Sequence, residues 1–251
     1  MDNTRIDWAD MTWNPVTGCR HGCPYCYAER TAKRFGRLDG AGGLYVLDRP
    51  MKEARLDGKY VAAPYPFSFS PTFHRYRLDQ PARKTRPRNI FVCSMADLFG
   101  AWVPTKWIME VLEACLAAPQ HNYLFLTKNP QRYVQLDEMA LLPRVDNFWY
   151  GTTTTEAGQS YFISEYHKTF TSVEPMTGPL FAQAGGILVD WVIVGAETGH
   201  RKEKAVPEKA WVEDLLSACR EEGVPLFMKG NLADVWGEDL IQELPVGLRR
   251  K

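Results

Sequence analysis

Short apolar runs of strand length alternate along the chain with amphipathic segments of helix length, and this alternation limits the fold more than any other feature. The strand-like runs are Met11–Thr17, Pro66–Ser70, Asn89–Met95, Asn122–Thr127, Phe148–Thr153, Thr169–Val173, Trp191–Gly195 and Val224–Met228. The spacing predicts helices over Pro24–Phe35, Pro104–Ala117, from about Pro130, and over Pro207–Glu222, where Gly223 ends the run. Proline at Pro130 suits a first helical turn, because its missing N–H has no partner there in any case. Strands that are apolar on both faces, each followed by a helix, argue for an α/β protein with a covered parallel sheet. Up to eight such units fit into the chain, enough for a whole (β/α) barrel. The Gly- and Pro-rich stretch Gly36–Pro66 fits least well and is expected to be an insertion or lid on a single domain spanning 1–251.

With 251 residues, 45% of them hydrophobic, the chain can bury a substantial core. No apolar run reaches transmembrane length and the N-terminus is not signal-like, so a soluble cytoplasmic protein without membrane partners is expected. The formal net charge is zero, which excludes a polycation as a whole. Cations are nevertheless clustered: Arg75, Arg77, Arg83, Lys84, Arg86 and Arg88 stand against Asp79 alone, Arg30, Lys33, Arg34 and Arg37 follow the first cysteines, and the chain ends Arg249-Arg250-Lys251. Such patches engage phosphates even in a neutral protein, or are simply solvated faces.

In a parallel barrel the chemistry lies at the C-terminal ends of the strands. That rule selects Ser94 and Asp97, Lys128, Thr152 to Thr155, Glu174, Glu197, and Lys229 with Asn231. Each has a plainer reading: Asp97 can cap a turn and Thr155 a helix. Cys93 closes a predicted strand and is either a hydrogen-atom-donating thiol or a buried core residue, as free cysteines usually are. Cys115 and Cys219 fall on helices and are expected in the core.

The remaining cysteines, Cys19, Cys23 and Cys26, form C-x3-C-x2-C, with Tyr25 directly before the last. Three thiolates on one loop hold three irons of a [4Fe–4S] cube and leave the fourth iron open to a small molecule. A structural zinc site wants four ligands, and His21, between Cys19 and Cys23, is the conceivable fourth. Disulfides would leave one of the three thiols unpaired.

This motif resembles the signature of the radical S-adenosylmethionine (SAM) superfamily. Further segments resemble a phage-associated branch of it: Ile6-Asp-Trp8, Thr12-Trp-Asn-Pro-Val-Thr-Gly-Cys19, Ser94-Met-Ala-Asp-Leu-Phe99, Leu126-Thr-Lys128, Ser172-Val-Glu-Pro175 and Val192-Ile-Val-Gly-Ala-Glu-Thr-Gly199. The stretch Thr152–Thr169 departs from that branch in being short, with four consecutive threonines.

The resemblance implies a barrel of at least six strands, so the expectation becomes a partial or nearly complete barrel of six to eight. It also implies a [4Fe–4S] cluster on the three cysteines, SAM on its open iron, and a flavodoxin- or ferredoxin-like electron donor. Backbone near Tyr25 would meet adenine, and Ser94, Asp97, Thr152, Glu174 and Glu197 are the candidates to bind SAM, Glu174 foremost. Lys128 or Lys229 would meet an anionic part of the substrate. The expected substrate is a modified thymine or other nucleobase of phage DNA, acted on by an isomerase in the host cytoplasm. Trp13, Tyr27, Phe73, Trp102 and Trp149 are the aromatics available to stack on it. A small metabolite or peptide substrate, and a non-catalytic iron–sulfur protein, are the competing expectations.

Overall fold

A computed structural model describes residues 1–36, 38, 40–54, 58–180, 186–198 and 201–248. In chain order the elements are β1 (Asp2–Asn3), β2 (Met11–Trp13), β3 (Val16–Thr17), α1 (Tyr27–Phe35), β4 (Tyr45–Leu47), β5 (Lys52–Ala54), β6 (Tyr60–Ala62), β7 (Thr72–His74), β8 (Asn89–Val92), α2 (Thr105–Leu116), β9 (Asn122–Thr127), α3 (Gln131–Glu138), β10 (Phe148–Thr154), β11 (Lys168–Val173), β12 (Val192–Val194), α4 (Lys209–Glu221), β13 (Leu226–Met228) and α5 (Ala233–Trp236).

The main sheet has eight strands in the order β1-β2-β8-β9-β10-β11-β12-β13. All neighbours from β2 to β13 are parallel, and β1 pairs antiparallel at the edge. Seven parallel strands thus follow one another in sequence order, as in a barrel, but the sheet is not closed. Two physical reasons are visible. The free edge of β13 is taken by the chain after α5, with Met228 N–H donating to the Ile241 carbonyl and Glu243 N–H to that of Leu226. The concave face is filled by Trp8, whose ring lies 4.8 Å from Phe91, 6.3 Å from Phe170 and 6.2 Å from Trp191.

Period-two alternation decides which side chains face inward. Phe91, Leu124, Trp149, Phe170, Ile193 and Phe227, one from each of β8 to β13 in turn, join Trp8 and Trp191 in an inner core. The alternate positions pack outward on helices. Trp13, Val92, Tyr123, Phe125, Phe148 and Tyr150 meet α2 and α3 through Ile108, Val111, Leu112 and Tyr133. Val192, Val194, Leu226 and Met228 meet α4 through Val212, Leu215 and Cys219. The inner core is stoppered at the strands' N-terminal end by the last described turn. There the Leu248 carbonyl accepts from Asn89 Nδ2 at 2.7 Å and the Gly247 carbonyl from Asn122 Nδ2 at 2.8 Å. Cys115 and Cys219 are fully buried, as expected.

Gly151 stands inside β10, where a Cβ would come within 2.2 Å of the Phe170 ring. Gly151→Ala should therefore destabilise by about 2 kcal/mol through overpacking, measured as a lower urea midpoint at unchanged slope.

One expectation needs correction. Pro66–Ser70 is a series of turns, not a strand, with Ser68 at φ +53 and Ser68 N–H bonded to the Tyr65 carbonyl. Residues 155–167, between β10 and β11, contain no helix, and none occurs among the described residues between β11 and β12. The stretch 36–66 supplies β4, which joins β3 and β7 in a three-stranded side sheet, and the β5–β6 hairpin. Among the described residues no helix is long and apolar enough to cross a membrane.

Candidate functional site

The loop from Gly18 to Cys26 lies over the C-terminal end of the sheet because three backbone contacts fix its start. Gly18 N–H donates to Met95 O at 2.9 Å, Gly18 bridges Ala96, and Cys19 N–H donates to Phe69 O at 3.3 Å. The approach is so close that only glycine fits: Gly18 has φ +87, and a Cβ would sit 2.4 Å from the Ser70 carbonyl oxygen. The loop ends at α1, where Cys26 is the N-cap and its Sγ accepts from Glu29 N–H at 3.3 Å. Anionic sulfur is favoured at such a terminus by the exposed N–H groups.

All three thiols are free, half-buried, and line one cavity of about 680 Å³. That volume lies within the range of small-molecule sites. Burial pushes the Cys19 thiol up to about 12, opposed by a backbone hydrogen bond at His21 and reinforced by Asp97 and the other two thiols. Burial also raises Cys26, opposed by the N–H groups of Glu29 and Ala28. His21 does not complete a zinc set: its Nε2 is 2.7 Å from Asp97 Oδ2, and its ring stands edge-on to Trp102. Among the described residues no three His, Cys, Asp or Glu side chains are drawn together closely enough to hold a single metal ion.

Asp97 is the junction of the site. Its Oδ2 accepts from His21 Nε2, Thr127 Oγ1 and Lys128 N–H, the last two at 2.9 Å, and its Oδ1 accepts from Phe99 N–H at 3.0 Å. The carboxylate, 5% exposed, ties the cysteine loop to the ends of β8 and β9. Asp97 lines the cavity, but both its oxygens are committed to protein donors, so it is a positioning residue. Lys128, whose backbone Asp97 holds, sends Nζ to the Tyr25 hydroxyl at 3.0 Å and lies over its ring. Ser94 Oγ donates to Asn14 Oδ1 at 3.2 Å, and its carbonyl accepts from the Tyr27 hydroxyl at 2.7 Å.

Across the cavity Glu174 Oε2 pairs with Lys229 Nζ at 2.6 Å, while Glu174 Oε1 is buried with no partner among the described residues. Gly195 makes room for this pair: a Cβ there would meet Lys229 Cδ at 3.0 Å and Glu174 Cγ at 3.3 Å. Asn231 braces the neighbouring turn by bonding both the N–H and the carbonyl of Ala196.

The expected site residues line this cavity except Thr152, Thr154 and Thr155. Thr152 faces outward, its hydroxyl accepting from Phe162 N–H at 3.0 Å, and Thr153 takes its place on the cavity wall. The alternation Trp149–Gly151–Thr153 along β10 would have indicated this.

Cys93 touches the cavity, but its thiol is 2% exposed and belongs to the core shared with Trp13, Val16 and Cys115. Burial pushes it up to about 12, which keeps it a neutral thiol. Glu197 is spent. Arg201 grips both its oxygens at 2.8 and 2.7 Å, Ala205 N–H adds a third bond, and the carboxyl is held down at about 2. Because that value is lowered from 4.5, the pair's contribution to stability is present above 4.5 and lost as pH falls through about 2. Amide exchange at Ala205 should accelerate over that window, and Arg201→Gln should move the acceleration to higher pH.

Of the aromatics proposed to stack on a substrate, only Tyr27 lines the cavity; Trp13, Phe73 and Trp149 are core, and Trp102 packs on His21. Phe69, Phe91 and Trp8 form apolar wall instead. Three of the six cations in the basic stretch from Arg75 are engaged by the protein itself. Arg75 pairs with Glu110 and Asp48, Arg77 bonds the Asn14 carbonyl, and Arg83 pairs with Asp79. Arg37, Gly199 and Arg249 to Lys251 lie outside the described residues.

A family model described as "Protein of unknown function (DUF5131)" matches residues 3–242. The chain belongs to that family. No curated protein matches it. Among solved structures it is similar to "Spore photoproduct lyase complexed with dinucleoside spore photoproduct", with a TM-score of 0.49 and 11% identity, over 94% of this chain and 76% of that one. For this DUF5131 chain the function is therefore argued from the site.

Several site residues escaped the reading of the sequence. Asn14 holds Ser94 Oγ and Met95 N–H, and Asp7 accepts from Gly230 N–H at 2.8 Å. Asn14 lies within the run Met11–Thr17 that the sequence reads as one strand, whereas β2 ends at Trp13, just before it. Trp8 precedes any recognisable strand, and no local periodicity points to its burial.

Proposed function

We propose that this chain is a radical SAM enzyme. The observation that carries the reading is that Cys19, Cys23 and Cys26 all line one cavity at the C-terminal end of seven parallel strands. The donor set fits a [4Fe–4S] cluster: three thiols on one loop, one of them at a helix N-terminus, with His21 turned away to Asp97. Such a cluster, when bound together with SAM and supplied with one electron, generates a 5′-deoxyadenosyl radical that abstracts hydrogen from a substrate.

The chain's own residues position and shield. Asp97 and His21 hold the loop, and Tyr25 is fixed by Lys128 at the cavity wall. Glu174 offers a carboxylate oxygen with no partner among the described residues, suited to the amino group of SAM or a ribose hydroxyl, while Lys229 restrains its other oxygen. Ser94 and Thr153 add hydroxyls on the cavity wall. Phe91, Leu126 and Phe69 supply apolar wall that keeps water from a reactive intermediate.

The proposed substrate is a nucleobase of phage-type DNA, modified by isomerisation in the cytoplasm of the host, with a flavodoxin- or ferredoxin-like reductant. An extruded base fits a deep cavity with aromatic wall. A small metabolite or peptide is the second reading, favoured by one observation: Arg75, Arg77 and Arg83 are spent within the protein rather than offered to phosphates.

The test is anaerobic reconstitution with iron and sulfide, reduction in the presence of SAM, and chromatography for 5′-deoxyadenosine with and without modified phage DNA. Product stimulated by the DNA is expected. Product without stimulation moves the substrate to the small-molecule class, and no product from a loaded cluster overturns the enzyme reading.

A further inference from the structure

The helix that begins at Cys26 carries a stripe of cations away from the thiol. Arg30, Lys33 and Arg34 lie four, seven and eight residues beyond Cys26, which places them along one helical face. The opposite face is the buried one, formed by Ala28 and Ala32. At 1.5 Å per residue the three cations stand within about 12 Å of the helix start along its axis. Between 19 and 36 the only carboxylate is Glu29, paired with Lys33 at 2.7 Å. In a protein of net charge zero this is a concentrated positive surface.

It is also an apolar one. Arg34 lies over the ring of Phe35, which is 49% exposed, and Leu38 and Leu44 nearby are 47% and 43% exposed. Arg20, exposed and next to Cys19, donates to the Gly42 carbonyl and so joins the loop carrying Leu44 to the cysteine loop. Exposed aromatic and aliphatic side chains interleaved with arginines are the composition of a protein-docking surface. A surface built only for phosphates gains nothing from leaving Phe35, Leu38 and Leu44 in water.

We propose that α1, Arg20, Leu38 and Leu44 form the docking surface for a small acidic one-electron carrier of the ferredoxin type. The inference rests on the radical SAM reading, which requires an electron at the thiol loop. In the step itself the carrier's iron–sulfur centre would lose one electron and a cluster held by Cys19, Cys23 and Cys26 would gain it, with no proton transferred and no bond made. The cations steer the encounter and the apolar residues seat it.

The test uses the full chain with Arg30→Glu and Arg34→Glu combined; both positions are exposed, so folding is preserved. Binding of a plant-type ferredoxin is measured by calorimetry at low and high salt, and cluster reduction by that ferredoxin is compared with reduction by dithionite. The expected result is binding weakened at least tenfold at low salt, ferredoxin-driven reduction slowed to match, and dithionite-driven reduction unchanged. Unchanged ferredoxin binding and reduction would overturn the proposal. A wild-type chain that dithionite cannot reduce after iron loading overturns the radical SAM reading itself, and the docking surface with it.

Discussion

Cys26→Ser is expected to abolish reductive cleavage of SAM and to leave the fold intact. The two halves of this expectation have separate causes. Serine at the N-cap still accepts a hydrogen bond from the helix N–H groups, so α1 keeps its start, whereas alanine would cost about 1 kcal/mol there. A serine hydroxyl is nevertheless a poor substitute for thiolate at iron, and of the three loop thiols Cys19 and Cys23 would remain. 5′-Deoxyadenosine formation should fall at least 1,000-fold and bound iron should drop, while the thermal midpoint stays within a few degrees of wild type. Full activity in the reconstituted serine variant would remove Cys26 from the ligand set.

Asp97→Ala has the largest expected effect on stability. The alanine leaves Thr127 Oγ1, Phe99 N–H, Lys128 N–H and His21 without the acceptor they share. A buried donor left unsatisfied costs about 1–3 kcal/mol, and water entering from the cavity recovers part of that. A net loss of about 3 kcal/mol is expected, read from denaturant unfolding. Asp97→Asn keeps one carbonyl oxygen and should lose about half as much. The consequence for function is local: with His21 released, amide exchange over 18–26 should rise in both variants, more in alanine. Equal exchange in that loop across wild type and both variants would show that Asp97 does not hold it.

The sheet was legible because strand and helix periods are local. Asn122–Thr127 is apolar and bounded by polar residues, and its extent matches β9 residue for residue. Trp191–Gly195 and Asn89–Met95 shrink to β12 and β8 because their ends turn toward the site, Cys93 adopting φ +60. Closure was not legible. It depends on Trp8 entering the concave face and on residues 241–243 capping β13, both contacts between segments far apart in the chain.

The same division holds at the site. The three cysteines announce themselves by spacing, and strand ends pick out Asp97, Lys128, Glu174 and Lys229. Which of these remain available is decided by partners that no local pattern reveals. Arg201 closes on Glu197, four donors fill Asp97, and among the described residues Glu174 alone of these carboxylates keeps an unpartnered oxygen.

The central claim is that Cys19, Cys23 and Cys26 hold a cluster with one iron open to SAM. Iron and sulfide analysis of the anaerobically reconstituted chain, followed by Mössbauer spectroscopy with and without SAM, tests it most directly. The account predicts about four irons per chain, one of which becomes distinct from the others when SAM is added. A single tightly held metal ion per chain, or a four-iron centre whose spectrum SAM leaves unchanged, would contradict it.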